Sequence, residues 1–144
     1  MSRLLFYLSW PLIWLYAPIS RRVRIVILHK DTIVLVKNIF GPGAWQLPGG
    51  GIKFGESVEA AGMREAEEEL GLKLTRVKKL HEEFVVVRQF GLMMRYSYVC
   101  VELDTKHELQ PSNELSDAEW VNLDEMPKVA PEVIEGLRLA GKQG

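Results

Sequence analysis

The chain has 144 residues, 47% of them hydrophobic, and this predicts one globular domain with a sizeable core. Its 18 basic and 19 acidic side chains give a formal net charge of −1, so a general electrostatic attraction to nucleic acid is not indicated. A single cysteine, Cys100, excludes an internal disulfide and predicts core packing in a reducing compartment, and we therefore expect a cytoplasmic location.

The N-terminal segment, residues 1–20, is set apart by its composition. Residues 4–19 are apolar and aromatic, Pro11 interrupts them, and three arginines follow at positions 21, 22 and 24. Because a transmembrane helix needs about 20 residues, a span is disfavoured. Aromatic residues beside a basic cluster favour peripheral association with a membrane surface. Packing on the domain or across a homodimer is an equally supported alternative.

From Arg21 onward the pattern predicts alternating strands and helices. Strands are expected at residues 23–27, 32–37, 45–47, 77–89, 92–103 and 120–121, a polar loop at 107–119 and a terminal helix at 131–140. The apolar side of that last helix would comprise Val133, Ile134, Leu137 and Leu139. No linker sequence divides these predicted elements, so we expect residues 21–144 to form one domain.

One helix carries most of the chemistry. Ser57 is a typical N-cap and Gly71 a typical C-terminal stop, so residues 58–70 should be helical. Glu65, Glu68 and Glu69 then share one face, and small residues around Ala66 form the buried side. Three neighbouring carboxylates repel one another and suit Mg²⁺ or Mn²⁺, which bind hard oxygen ligands and leave positions for phosphates. Arg64 would pair with Glu68 or reach back to Glu56.

A solvated acidic helix face would explain the glutamates alone, but it does not explain the spacing around them. Five residues separate Gly50 from Glu56, seven separate Glu56 from Arg64, and Gly71 closes the unit. The stretch GGGIKFGESVEAAGMREAEEELGL, residues 49–72, resembles the signature of the Nudix hydrolases. Ala66 departs from it, since the family usually has Leu, Ile or Val at that position.

The resemblance implies a site as well as a fold. It implies an α+β Nudix fold, an α/β/α sandwich with a mixed sheet between helices. Arg64 would hold the carboxylates, and metal binding would involve Glu56, Glu65, Glu68 and Glu69 together with Gly49 and Gly50. The general base would be one of Glu68, Glu69 or Glu114. In the family a glutamate of the loop before the tryptophan often completes the metal site or serves as the general base; Glu114 is the nearest match to it and Glu119 the second.

Candidate substrate contacts lie outside the signature. Trp45 and Phe40 could stack on a nucleobase, although a tryptophan at position 45 more often anchors a strand to the core. Lys37, Arg88 and Arg95 are candidates for binding phosphate, with ordinary solvated side chains as the alternative.

The implied activity is metal-dependent hydrolysis of the pyrophosphate linkage in a nucleoside diphosphate joined to another moiety. Val87 replaces the proline that the family's ADP-ribose hydrolases usually carry, and the tyrosine typical of its dinucleoside polyphosphate enzymes is also missing. Nucleoside triphosphates and nucleotide sugars remain as substrate candidates. The alternatives are a non-catalytic Nudix-fold binding module and an assembly protein in which residues 4–19 have the main function.

Overall fold

The computed structural model describes residues 20–41, 43–87 and 92–142. The predicted membrane or dimer role of residues 4–19 and the predicted phosphate contact of Arg88 lie outside these residues and stay predictions. Within the described ranges, no helix combines the length and the apolar character needed to cross a bilayer.

Six strands of the described chain form one mixed sheet around a central strand, β1. The spatial order is β4-β5-β1-β2-β6, and β3 pairs separately with β1. β1 runs parallel to β5 and antiparallel to β2 and β3. The strand bounds are β1 Ser20–His29, β2 Thr32–Asn38, β3 Gly49–Gly51, β4 Lys78–Val87, β5 Leu92–Glu102 and β6 Leu115–Asn122.

In the described ranges, two α-helices cover opposite faces of the sheet, which confirms the predicted α/β/α sandwich. Helix α1, Val58–Leu70, packs on a core that contains Val23 and Val99. Helix α2, Pro131–Leu139, packs on a second core that contains Val26 and Tyr98. Alternate residues of β1 therefore face different helices, as the two-residue period of a strand requires.

Three details of the sequence prediction were wrong. The strand expected at residues 45–47 is only a pair of isolated bridges at Trp45 and Gln46, and the strand itself is Gly49–Gly51. The polar loop expected to reach residue 119 ends earlier, because Leu115 is buried and begins β6. Ile134 was assigned to the apolar side of α2 but is 59% exposed. The side of the helix that is buried against the sheet carries Val133, Gly136 and Leu137 instead.

Candidate active site

Helix α1 begins and ends where its sequence predicted. The Ser57 side chain accepts a hydrogen bond from the Ala60 backbone N–H at 3.1 Å, and Gly71 adopts the left-handed conformation with φ of 67°. Gly62 faces the sheet, where an added Cβ would lie 2.7 Å from the Val99 side chain. The helix thus lies close to the sheet and brings its glutamates against β3.

Glu69 is the most buried carboxylate of the site, with 8% of the residue exposed. The backbone N–H of Gly49 donates to its Oε2 at 3.1 Å. Only glycine fits there, because a Cβ at position 49 would lie 2.0 Å from the Val23 carbonyl oxygen. Burial raises the pKa of Glu69 to about 7; the charges of Glu65 and Glu114 add to this rise, whereas the Gly49 N–H and Arg24 oppose it.

Glu65 lies against the backbone of Gly50. A Cβ at position 50 would be 2.4 Å from Glu65 Oε1, which is closer than real atoms approach, so the missing side chain leaves the space that the carboxylate fills. Gly51 differs, since nothing lies within 4 Å of its hypothetical Cβ. The two neighbouring glycines therefore have different roles.

Arg64 binds three carboxylates and one carbonyl oxygen. Its Nε and Nη2 donate to Glu56 at 2.8 and 2.9 Å, and its Nη2 also donates to the Gly51 carbonyl at 2.8 Å. Its Nη1 donates to Glu65 at 2.9 Å and to Glu68 at 3.1 Å. The Arg64 guanidinium lowers the pKa of Glu56 to about 2. Both contacts expected for Arg64, to Glu56 and to Glu68, are present.

A cavity of about 310 Å³ joins the helix glutamates to the loop that precedes β6. Its lining consists of Glu65, Glu68, Glu69, Ser112, Asn113 and Glu114. The loop is attached to the end of α1, because Ser112 N donates to the Glu69 carbonyl and Gln110 N to the Leu70 carbonyl, both at 2.9 Å. Glu114 is thereby brought beside the signature carboxylates.

Glu119, the second candidate for the loop glutamate, is on the other side of the sheet. It pairs in register with Leu35, which packs in the core beneath α2, and directly paired residues share a face. Glu119 therefore lies on the face of the sheet that α2 covers, and of the two glutamates only Glu114 lines the cavity.

The side chains that line the cavity are chemically suited to bind a divalent cation. The cavity contains four carboxylates, and the buried Glu69 accepts from a neutral backbone N–H, with no cation in contact with it among the described residues. Hard carboxylate oxygens of this kind are the ligands that Mg²⁺ and Mn²⁺ prefer. Within the described chain, however, no three acidic, histidine or cysteine side chains already converge as a ligand set. Arg64 binds Glu65 and Glu68, and a cation would compete with it for them.

The predicted substrate contacts are scattered. The Lys37 ammonium lies 4.7 Å from the centroid of the Trp45 ring and so covers one face of it. Trp45 is partly buried against the core beneath α2. Arg95 lies opposite Arg21 in the parallel pairing of β1 with β5. None of the three lines the carboxylate cavity.

A buried ion pair behind the site was not predicted from the sequence. Arg24 Nε lies 2.9 Å from Glu132 Oε2, and these side chains are only 11% and 15% exposed. Glu132 also accepts from Leu47 N at 3.2 Å, so it connects α2 to the segment before Gly49. Burial raises the pKa of Glu132 and Arg24 opposes the rise. Because the partners are 108 positions apart in the sequence, no local pattern pointed to this pair.

Several curated proteins resemble part of the chain. An RNA pyrophosphohydrolase from Psychromonas ingrahamii is 48% identical over 58 residues, which is 40% of this chain and 32% of that protein. Nudix hydrolase 25 from Arabidopsis thaliana is 43% identical over 51 residues, or 35% of this chain and 29% of that protein. The matched segments thus span only about a third of these relatives.

Solved structures and a family model cover much more of the chain. A MutT NUDIX hydrolase from Burkholderia pseudomallei has a TM-score of 0.75 and 25% identity, covering 84% of this chain and 97% of that one. The NUDIX domain of Shewanella oneidensis NrtR, solved with ADP ribose, shares the fold with a TM-score of 0.71 and 20% identity, covering 96% and 97% of the two chains. The family model for the NUDIX domain matches residues 18–139. This chain therefore belongs to the Nudix family.

Proposed function

We propose that this protein is a divalent-metal-dependent hydrolase that cleaves the pyrophosphate linkage of a nucleoside diphosphate joined to another moiety. The observation that carries the proposal is the joining of Glu65, Glu69 and Glu114 in one cavity directly beside Gly49 and Gly50. Family membership and the names of the relatives support it. A binding module without activity is less well supported, because every acidic position of the signature is present.

The carboxylates of α1 would hold the metal, with Glu65, Glu68 and Glu69 as the first candidates. When bound, Mg²⁺ or Mn²⁺ neutralises phosphate oxygens and lowers the pKa of an attacking water. The backbone of Gly49 and Gly50 orients Glu69 and Glu65 respectively. Arg64 orients Glu56 and supplies a charge-assisted hydrogen bond to each of the other carboxylates that it contacts.

We assign proton removal from water to Glu114. Arg64 occupies Glu65 and Glu68 and the Gly49 N–H occupies Glu69, whereas the exposed Glu114 side chain has no hydrogen bond to any described residue. Glu114→Gln should lower kcat by about a hundredfold or more, as loss of a general base does. Glu119→Gln is the matched control and should retain full turnover. Equal rates for the two variants would return the assignment to Glu68 or Glu69.

The substrate class is tested with purified protein and a panel of compounds. Nucleoside triphosphates, nucleotide sugars, ADP-ribose and RNA with a 5′-triphosphate would each be incubated with Mg²⁺ or Mn²⁺, and release of phosphate, pyrophosphate and nucleoside monophosphate would be measured. We expect cleavage within the phosphate chain of a nucleoside triphosphate or nucleotide sugar. Absence of any hydrolysis, together with nucleotide binding, would favour the binding-module alternative.

A further inference from the structure

Glu114 lies at the end of a loop, residues 103–114, that joins β5 to β6. Its side chain lines the cavity without a hydrogen bond to any described residue, so its position depends on how the loop backbone is held. Backbone bonds fix the end of the loop, since Ser112 N donates to the Glu69 carbonyl at 2.9 Å and Ile39 N to the Glu114 carbonyl at 3.1 Å. Further along, the loop is held by side chains of neighbouring strands.

The middle of the loop is attached to β6. Trp120 Nε1 donates to the His107 carbonyl at 3.0 Å. Between Leu103 and Gln110, this is the one point at which hydrogen bonds among the described residues join the loop to another element. The same stretch and residues 71–78 line a cavity of about 870 Å³, so a loop released from Trp120 has room to move.

His29, the last residue of β1, holds the beginning of the loop beside Trp120. Its Nδ1 lies 2.9 Å from the Leu103 carbonyl oxygen, and because a carbonyl only accepts, Nδ1 carries the hydrogen and donates it. The His29 and Trp120 rings meet edge to face, with centroids 6.4 Å apart and planes at 80°. Trp120 also packs against the core beneath α1. Two side chains in contact with each other thus each bind one carbonyl of the loop.

We propose that Trp120 is a positioning residue that acts on Glu114 through this loop. The inference rests on the proposed function, in which Glu114 removes the proton from water. The indole N–H fixes the loop at His107, and the backbone N–H groups of Gln110 and Ser112 attach the following residues to the end of α1. Glu114 follows directly after these attachments. Trp120 does not line the carboxylate cavity, so its effect is indirect.

Kinetics of single variants test the attachment. Trp120→Phe keeps an aromatic ring against the core but removes the N–H. We expect kcat to fall about two- to tenfold, the effect of losing one hydrogen bond, while KM changes little. His29→Phe, which cannot donate to the Leu103 carbonyl, should also lower kcat. Ser116→Ala is the matched control, since it removes a side-chain hydrogen bond from β6 to the Lys37 carbonyl and should leave both constants unchanged.

A double variant separates an effect on Glu114 from a general loss of structure. If Trp120 acts through Glu114, adding Trp120→Phe to Glu114→Gln should cause no further fall in kcat, because the group that it positions is already gone. An equal fall in both backgrounds would overturn the inference, since Trp120 would then act on the structure as a whole. An unchanged kcat in Trp120→Phe alone would overturn it as well.

Amide hydrogen exchange tests the loop independently of catalysis. In Trp120→Phe the amides of Gln110 and Ser112 should exchange faster than in the unchanged protein, whereas the amide of Ile25, which bonds to the Pro48 carbonyl, should not change. If the unchanged protein hydrolyses no nucleotide, the proposed function has failed, and the exchange rates alone decide whether Trp120 holds the loop. Equal exchange at Gln110 and Ser112 in the two proteins would show that it does not.

Discussion

Arg64 holds Glu56 through two parallel hydrogen bonds, with Nε 2.8 Å from one carboxylate oxygen and Nη2 2.9 Å from the other. This bidentate geometry leaves Nη1 for Glu65 and Glu68. One planar side chain thus sets the orientation of three acidic groups, a task that requires the fixed fork of a guanidinium.

The first prediction concerns this fork. Arg64→Lys keeps the charge but cannot bind Glu56 at both oxygens while also reaching Glu65 and Glu68. We expect turnover or metal affinity to fall roughly ten- to a hundredfold, the usual effect of losing a residue that orients metal ligands. Steady-state kinetics over a range of Mg²⁺ concentrations would measure it. Arg138→Lys, in the surface pair with Glu135 on α2, is the control and should change neither quantity.

The second prediction uses the neighbouring glycines. Gly50→Ala would place a methyl group 2.4 Å from Glu65 Oε1, and this flexible carboxylate would move away. We expect turnover to fall by about tenfold or more with little loss of stability, since small misplacements of reacting groups have large effects on rate. Gly51→Ala has free space around its Cβ and should retain activity and melting temperature. Equal behaviour of the two variants would show that the position of Glu65 is unimportant.

The third prediction concerns pH and metal-free protein. The pKa of Glu69 is raised from 4.5 to about 7, which means that folding favours the protonated carboxyl group. The contribution of this group to the free energy of unfolding is therefore fully present below about pH 4.5 and is lost as the pH rises through 7. In EDTA at pH 8, Glu69→Gln should be more stable than the unchanged protein by on the order of 2 kcal/mol. The difference should shrink toward zero near pH 4.5, and thermal melts at both pH values would show it. A constant difference between the two pH values would contradict the burial of an ionised Glu69.

The fourth prediction concerns the buried ion pair between Arg24 and Glu132. Glu132→Ala leaves Arg24 buried without its partner, and loss of one partner of a buried pair costs about 3 kcal/mol or more. Urea unfolding would measure this loss. Glu135→Ala removes a pair on the same helix whose arginine, Arg138, is 55% exposed, and it should cost under about 1 kcal/mol. Similar losses in both variants would mean that the Arg24 pair contributes no more than a surface contact.

Local signals in the sequence predicted local structure well. Helix α1 was confirmed from Val58 to Leu70, because its capping residues act within one turn of its ends. Side-chain direction was harder, as the exposed Ile134 shows, since the position of α2 on the sheet decides which of its residues are covered.

Contacts between distant residues could not be read from the sequence. Glu114 and Glu119 are separated by the register of β6 with β2, which depends on the whole sheet. The Arg24 pair with Glu132 and the hydrogen bond from Gly49 to Glu69 likewise depend on how helices and sheet pack. The signature thus indicated the residue types of the site, whereas the fold determined which of them meet.

The central claim, that the carboxylates of α1 support hydrolysis through a divalent cation, is tested most directly by titrating Mg²⁺ into the unchanged protein and Glu68→Gln while measuring nucleotide hydrolysis. We predict no turnover in EDTA, saturable activation of the unchanged protein, and a large loss of rate in a Glu68→Gln variant that melts at a similar temperature. Full turnover in EDTA, or equal rates for both proteins at saturating Mg²⁺, would contradict the account.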